Sequence, residues 1–169
     1  MDNIILIGMP AAGKSTIGKI LAEKMDCTFL DTDHLIENGE GKKLFDIISG
    51  SGLKDFCKLE EKYVLSVTGK GKIISTGGSV VYGKKAMAHL SSIGTIIFLS
   101  LNLSNLKSRL ENLETRGVVI SEGKTIDDLF NERTPLYDKY ADHIVDCNNK
   151  SPLSITSEIS TLFKIRKNL

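Results

Sequence analysis

Tryptophan is absent from this 169-residue chain, proline occurs only three times, and aromatics make up 6% of the residues. No apolar run approaches the ~20 residues that span a bilayer, so a membrane-spanning protein is not expected. The first apolar run begins at Ile4, which leaves no room for a signal peptide, and a cytoplasmic location is expected. Cysteine is scarce as well. Cys27, Cys57 and Cys147 are odd in number, far apart and without C-x-x-C spacing, which excludes a disulfide framework or a zinc site and reads as reduced thiols. His34, His89 and His143 are isolated and read as surface or packing residues. A net charge of +1 with scattered lysines lacks the electrostatic footprint of a nucleic-acid binder, and an apolar content of 41% excludes disorder. What remains is one domain, long enough to bury a proper core.

The most informative feature present is Gly8-Met9-Pro10-Ala11-Ala12-Gly13-Lys14-Ser15, directly after the apolar run Ile4–Ile7. This is the G-x-x-x-x-G-K-[ST] phosphate loop, in which glycines let successive N–H groups point at phosphate oxygens while Lys and Ser add an ammonium and a metal-ligating hydroxyl. A helix is predicted from Ser15 to about Lys24, with its partial positive end beneath the bound anion. Gly8, Ala11, Ala12, Gly13, Lys14, Ser15 and Thr16 are therefore candidate nucleotide contacts.

Strands and helices alternate along the rest of the chain. Short strands are predicted at Cys27–Leu30, Ile73–Ser75, Thr95–Leu99 and His143–Val145. Helices are predicted from about Leu35, at Lys43–Ile48, at Leu53 to about Thr68, at Lys84–Leu90, at Leu103–Leu113 and at Leu153–Lys164. In the Leu53 helix, Phe56, Leu59, Tyr63 and Val64 share one side. Arg116–Lys124 is polar, Gly-flanked and without apolar period, and reads as a mobile loop. Ile126–Glu132 and Leu136–Ala141 read as two helical pieces, because Pro135 must open the second or break the pattern.

Short apolar strands without alternation, separated by helices, imply a parallel sheet covered on both faces. The expected fold is a three-layer α/β/α domain over residues 1–169, with a five-stranded parallel sheet. Ligands of such sheets gather at the carboxyl ends of the strands. The phosphate loop, Asp31-Thr32-Asp33 and Thr76-Gly77-Gly78-Ser79 each follow a strand, so all three should open onto one cleft. Asp31 and Asp33 facing a phosphate loop suit one partner for Mg²⁺ and one for an acceptor hydroxyl. The plainer reading is that they cap the next helix, although one Asp would suffice for that.

These residues resemble the shikimate kinases, within the nucleoside-monophosphate-kinase-like group of P-loop kinases. The likeness runs from Ile4 to about Pro152. Besides the phosphate loop and Thr16 it includes Phe29-Leu30-Asp31-Thr32-Asp33, the helix entry Asp55-Phe56-Cys57-Lys58-Leu59-Glu60, Ser75-Thr76-Gly77-Gly78, Arg116, and Glu132-Arg133-Thr134-Pro135-Leu136-Tyr137. Only four arginines occur, and Arg109, Arg116 and Arg133 fall where the resemblance asks for one. A chain that otherwise uses Lys is placing Arg where a planar fork is needed.

The resemblance implies the following roles. Lys14 bridges the β- and γ-phosphates of ATP, and Ser15 holds Mg²⁺ with Asp31 reaching it through water. Asp33 hydrogen-bonds the acceptor hydroxyl and takes its proton. Gly77 and Gly78 give N–H groups and room for the acceptor ring. Arg116 closes over the phosphates as part of a lid at about 112–124, Arg109 lies against the adenine, and Arg133 clamps the acceptor carboxylate. A monomer acting on a small molecule is implied, with shikimate the default acceptor.

Two positions depart from the family pattern, and both fall in the acceptor pocket. The family's helix entry reads Phe-Arg-x-x-Glu, and Cys57 stands where that carboxylate-holding Arg belongs. Lys54 is better placed by helix geometry to compensate than Lys58, which should point elsewhere. Ser79 replaces the family's third glycine and either narrows the pocket or adds a hydroxyl contact. Cys57 reads as a small apolar filler more readily than as a reactive thiol. Two other readings stay open: a related kinase of another small hydroxylated acid or polyol, and a nucleotide-binding regulatory domain without turnover.

Overall fold

In the computed structural model, residues 2–111 and 124–166 are described. Five strands form one sheet: β1 (Asn3–Ile7), β2 (Thr28–Asp31), β3 (Lys72–Ser75), β4 (Gly94–Ser100) and β5 (His143–Asp146). The order is β2-β3-β1-β4-β5, and every pairing is parallel. The expected five-stranded parallel sheet is thus present, with β1 at its centre.

Seven helices cover it: α1 (Lys14–Met25), α2 (Thr32–Glu40), α3 (Leu44–Leu65), α4 (Lys84–Ile93), α5 (Leu103–Glu111), α6 (Ile126–Tyr140) and α7 (Pro152–Arg166). Successive side chains of a strand point to opposite faces, so a strand apolar throughout feeds two cores. On β1, Ile4 and Leu6 join Leu21, Ile155 and Ile159 of α1 and α7. Ile5 and Ile7 join Val64, Met87, Leu90, Leu106, Leu129 and Tyr137 from α3 to α6.

Three sequence expectations need correction. Pro135 lies inside α6, which runs unbroken from Ile126 to Tyr140. Its ring and Asn131, whose carbonyl loses the usual N–H donor, are both exposed, so water can substitute there. Leu129, Arg133 and Tyr137 meanwhile hold the opposite face of the helix in the core. Secondly, α2 starts at Thr32, ahead of Leu35, because the Asp31 carboxylate accepts the Asp33 N–H at 3.0 Å and caps the first turn. Thirdly, Val80–Tyr82 forms a 3₁₀ turn that sequence periodicity did not indicate. The break expected around Gly50-Ser51-Gly52 is real: α3 is kinked at Gly52, with φ of 77°. Its buried face is Phe56, Glu60 and Val64; Tyr63 turns outward and donates its hydroxyl to Glu40 at 2.8 Å. The expected lid falls almost wholly on 112–123, outside the described residues.

Candidate active site

The carboxyl ends of β1, β2 and β3 bring together three segments that are distant in sequence. After β1 the chain turns sharply through Gly8 (φ 145°), Ala11 (φ 62°) and Gly13 (φ 96°) into α1. Gly8 is required there, because a Cβ would stand 2.8 Å from the Leu99 carbonyl oxygen. Gly13 caps α1 without a side-chain hydrogen bond, so the first N–H groups of the helix stay available to an anion. Ala12 is fully buried beneath the loop, and Thr16 is exposed on the first turn of α1. Lys14 is 8% exposed and donates to the carbonyl oxygens of Gly8 and Met9, both at 2.8 Å. Burial pulls this ammonium down to about 8, against the favourable charges of Asp33 and Asp31.

Asp31 does two things at once. Oδ1 caps α2, and Oδ2 accepts the Ser15 hydroxyl at 2.7 Å. A hydroxyl and a carboxylate side by side are hard oxygen donors that fit Mg²⁺, an ion that keeps several waters and phosphate oxygens rather than an all-protein cage. Among the described residues no cluster of three or more His, Cys, Asp or Glu could hold a metal alone. Asp33 does not cap: its Oδ1 is buried and has no partner. Burial first, and the neighbouring Asp31 second, push its carboxyl up to about 6. The two aspartates therefore have separate roles, and the capping reading holds for Asp31 alone.

Beyond β3, Thr76 and the two glycines are held from outside. The Thr76 hydroxyl donates to Leu6 O at 3.0 Å, the Gly77 N–H to Thr32 Oγ1 at 3.2 Å, and the Tyr137 hydroxyl to Gly78 O at 2.6 Å. A Cβ at Gly77 would collide with Glu60 Oε1 and lie 2.8 Å from Asp33 Oδ1; one at Gly78 would lie 3.2 Å from Arg133 Nη1. The missing side chains are thus what leaves space between these polar atoms. Arg133, 1% exposed, is held by the Tyr82 hydroxyl, which accepts from Nε at 3.0 Å. The Tyr82 ring lies beneath the guanidinium, 5.1 Å from centroid to Cζ. Arg133 Nη2 has no partner, and neither does Glu60 Oε1. Buried polar atoms are ordinarily paired. Among the described residues the buried side-chain atoms without a partner are Asp33 Oδ1, Glu60 Oε1, Arg133 Nη2 and Thr134 Oγ1.

The structure gathers Lys14, Ser15, Asp31, Asp33, Gly77, Gly78, Ser79 and Arg133 at one end of the sheet, with four further residues to which the sequence reading assigned no role: Glu60, Tyr82, Tyr137 and Thr32. Glu60 interrupts the apolar stripe Phe56–Glu60–Val64 at helical spacing, and that interruption was the available clue. Tyr82, Tyr137 and Thr32 act through the backbone or through another side chain, and local sequence gives no cue for them. Ser79 supplies a hydroxyl contact, donating to Glu60 Oε2 at 2.7 Å. Cys57 is half-buried, and burial, followed by Glu60, pushes its thiol up to about 11. Lys58 is turned outward to Asp55 at 2.8 Å, while Lys54 is exposed and its charge acts on Asp55. Arg109 reaches from α5 to the phosphate loop, donating to Ala12 O at 3.2 Å and Ala11 O at 3.5 Å. Arg116 lies outside the described residues.

A parallel sheet with a phosphate loop after its central strand, a hydroxyl–carboxylate pair beside it and a cluster of unpartnered buried polar atoms near Gly77 and Gly78 suits a P-loop phosphotransferase. Comparison with known proteins narrows this. The shikimate kinase family model matches residues 10–164, and the chain belongs to that family. A shikimate kinase of Sulfurihydrogenibium is 36% identical over 167 residues, covering 98% of this chain and all of that relative. The Aquifex aeolicus shikimate kinase structure superposes with a TM-score of 0.81 at 30% identity, covering 98% of this chain and 97% of that one. The Acinetobacter baumannii enzyme, solved in complex with shikimate, gives a TM-score of 0.88 at 27% identity over 99% and 95% of the two chains. The chain is accordingly a kinase that uses ATP and Mg²⁺ to phosphorylate a small-molecule hydroxyl.

Proposed function

We propose that the acceptor is shikimate, held over Gly77 and Gly78 by Asp33 and Arg133. The observation that carries this reading is that Asp33 Oδ1 and Glu60 Oε1 stand over Gly77 and the Arg133 guanidinium over Gly78, with Oδ1, Oε1 and Nη2 unpartnered. A polyhydroxylated acid presents donors to the carboxyl oxygens and a carboxylate to the guanidinium. Asp33, held at about 6, can orient the acceptor hydroxyl and take up its proton as the phosphoryl group transfers. Lys14 and the N–H groups opening α1 hold the phosphates in line, while Arg109 keeps the Ala11–Ala12 segment in shape and faces the adenine. Mg²⁺ held by Ser15 and Asp31 would neutralise charge developing between the β- and γ-phosphates. Arg116 closes the site over the phosphates in this reading, and the enzyme works as a cytoplasmic monomer.

With Cys57 in the helix, Arg133 is the acceptor's single guanidinium among the described residues. One charge-assisted hydrogen bond is worth ~1.5–3 kcal/mol, about ten- to a hundredfold in affinity. A coupled ADP-release assay tests this with shikimate and a panel of hydroxylated acids and polyols, beside Cys57→Arg. Shikimate should be turned over by the native chain with a weak KM, and Cys57→Arg should lower that KM. Inert shikimate in both, with another acceptor active, would transfer the assignment to that compound.

A further inference from the structure

Glu60 has no cation bonded to it among the described residues, although it is 2% exposed. Its Oε2 accepts the Ser79 hydroxyl at 2.7 Å, while Oε1 is unpartnered and stands with Asp33 Oδ1 directly over Gly77, where an added Cβ would meet both. One turn before it on α3, Cys57 brings a neutral thiol. Ser79 is itself 5% exposed, so its hydroxyl is spent on Glu60 rather than on solvent.

We propose that Ser79 is a specificity-determining residue of the acceptor pocket, fixing Glu60 by Oε2 so that Oε1 meets a hydroxyl of the acceptor above Gly77. This rests on the acceptor site described under the proposed function. The groups around Glu60 are Asp33 of α2, Lys14 of α1, Arg133 and Tyr137 of α6, Cys57 of its own helix, and Ser79. Burial dominates among them and pushes Glu60 up to about 8, with the Ser79 hydrogen bond opposing. At neutral pH the carboxyl keeps its proton. Because Ser79 already donates to Oε2, the proton belongs on Oε1, the oxygen over Gly77. The acceptor thus meets a neutral O–H donor from Glu60 beside the carboxyl of Asp33, an arrangement matched to hydroxyls rather than to a second carboxylate.

The test uses the full chain with saturating Mg-ATP, so that phosphate contacts hold the Lys14 proton. Ser79→Ala should raise the acceptor KM about tenfold with kcat within about threefold. Glu60→Gln, which removes the titrating carboxyl, should lose the alkaline limb of kcat/KM. Infrared titration of the free protein gives a readout independent of any acceptor. A protonated-carboxyl band present at pH 7 should vanish in Glu60→Gln and persist to higher pH in Ser79→Ala. An unmoved KM and an unmoved band in Ser79→Ala would overturn the proposal. Absence at pH 7 of a band assignable to Glu60 would also overturn it, whether or not Ser79→Ala folds. A native chain that phosphorylates no acceptor would sink the functional reading instead, and the infrared response would still decide the role of Ser79.

Discussion

Adding one methyl group at Gly77 should close the acceptor site while leaving the nucleotide site untouched. Gly77 is not among the residues with positive φ, so alanine there carries no backbone strain and the effect is steric. The new Cβ would collide with Glu60 Oε1 and stand 2.8 Å from Asp33 Oδ1. Glu60 cannot swing aside freely, since Ser79 holds its other oxygen and the residue is 2% exposed. Overpacking of this kind costs ~1–3 kcal/mol. Expressed in binding, that is roughly five- to a hundredfold in acceptor KM; expressed in folding, it is about 2–4 °C of Tm per kcal/mol for a chain of this size. The assay compares acceptor KM, Mg-ATP affinity by calorimetry, and Tm for Gly77→Ala and Gly50→Ala. At Gly50 an added Cβ meets nothing within 4 Å, which makes it the matched control. Mg-ATP affinity should stay within about twofold in both variants. A Gly77→Ala protein with native acceptor KM, or one that loses nucleotide affinity in equal measure, would refute the placement of the acceptor above Gly77.

Lys14→Ala should lower kcat at least about a hundredfold, measured by ADP release, because a preorganised cation aimed at transferring phosphate is removed; surviving activity would contradict the role of the phosphate loop. The stability of the free protein should fall between about pH 4.5 and 8. Glu60 is raised from 4.5 to about 8, so its contribution is fully present below the unfolded value and is lost as pH climbs through the folded one. The loss is on the order of 3 kcal/mol at pH 7. Asp33, raised from 3.8 to about 6, adds a slope of the same sign. Denaturant titrations across that range should be flatter for Glu60→Gln than for the native chain.

The nucleotide side of the molecule was legible in the sequence because its chemistry is local. Eight consecutive residues from Gly8 to Ser15 specify a loop conformation, and the apolar run before them specifies a central strand. The rule that ligands gather at strand ends then joined Asp31, Asp33 and the Gly77–Gly78 pair without knowledge of strand order. The acceptor side was only partly readable. Which oxygen of Glu60 is free depends on Ser79 from another element, and how Arg133 is held depends on Tyr82, 51 residues earlier. Pro135 misled for a different reason. The cost of proline in a helix depends on whether the freed carbonyl meets water or the core, and that is decided by which face tertiary packing buries. The start of α2 was missed because Asp31 looked like a residue committed to chemistry, yet one carboxylate has oxygens enough for a cap and a metal.

The Thr76-Gly77-Gly78 segment is held by Leu6, Thr32 and Tyr137 in turn, and Tyr137 stacks on Phe98 of the central core, 5.1 Å between ring centroids. The bonds that hold this backbone involve neither the Cys57 nor the Ser79 side chain, so a change at 57 or 79 leaves them in place. A kinase built this way can exchange one alcohol for another through changes at the rim, and its power to move a phosphoryl group survives the exchange.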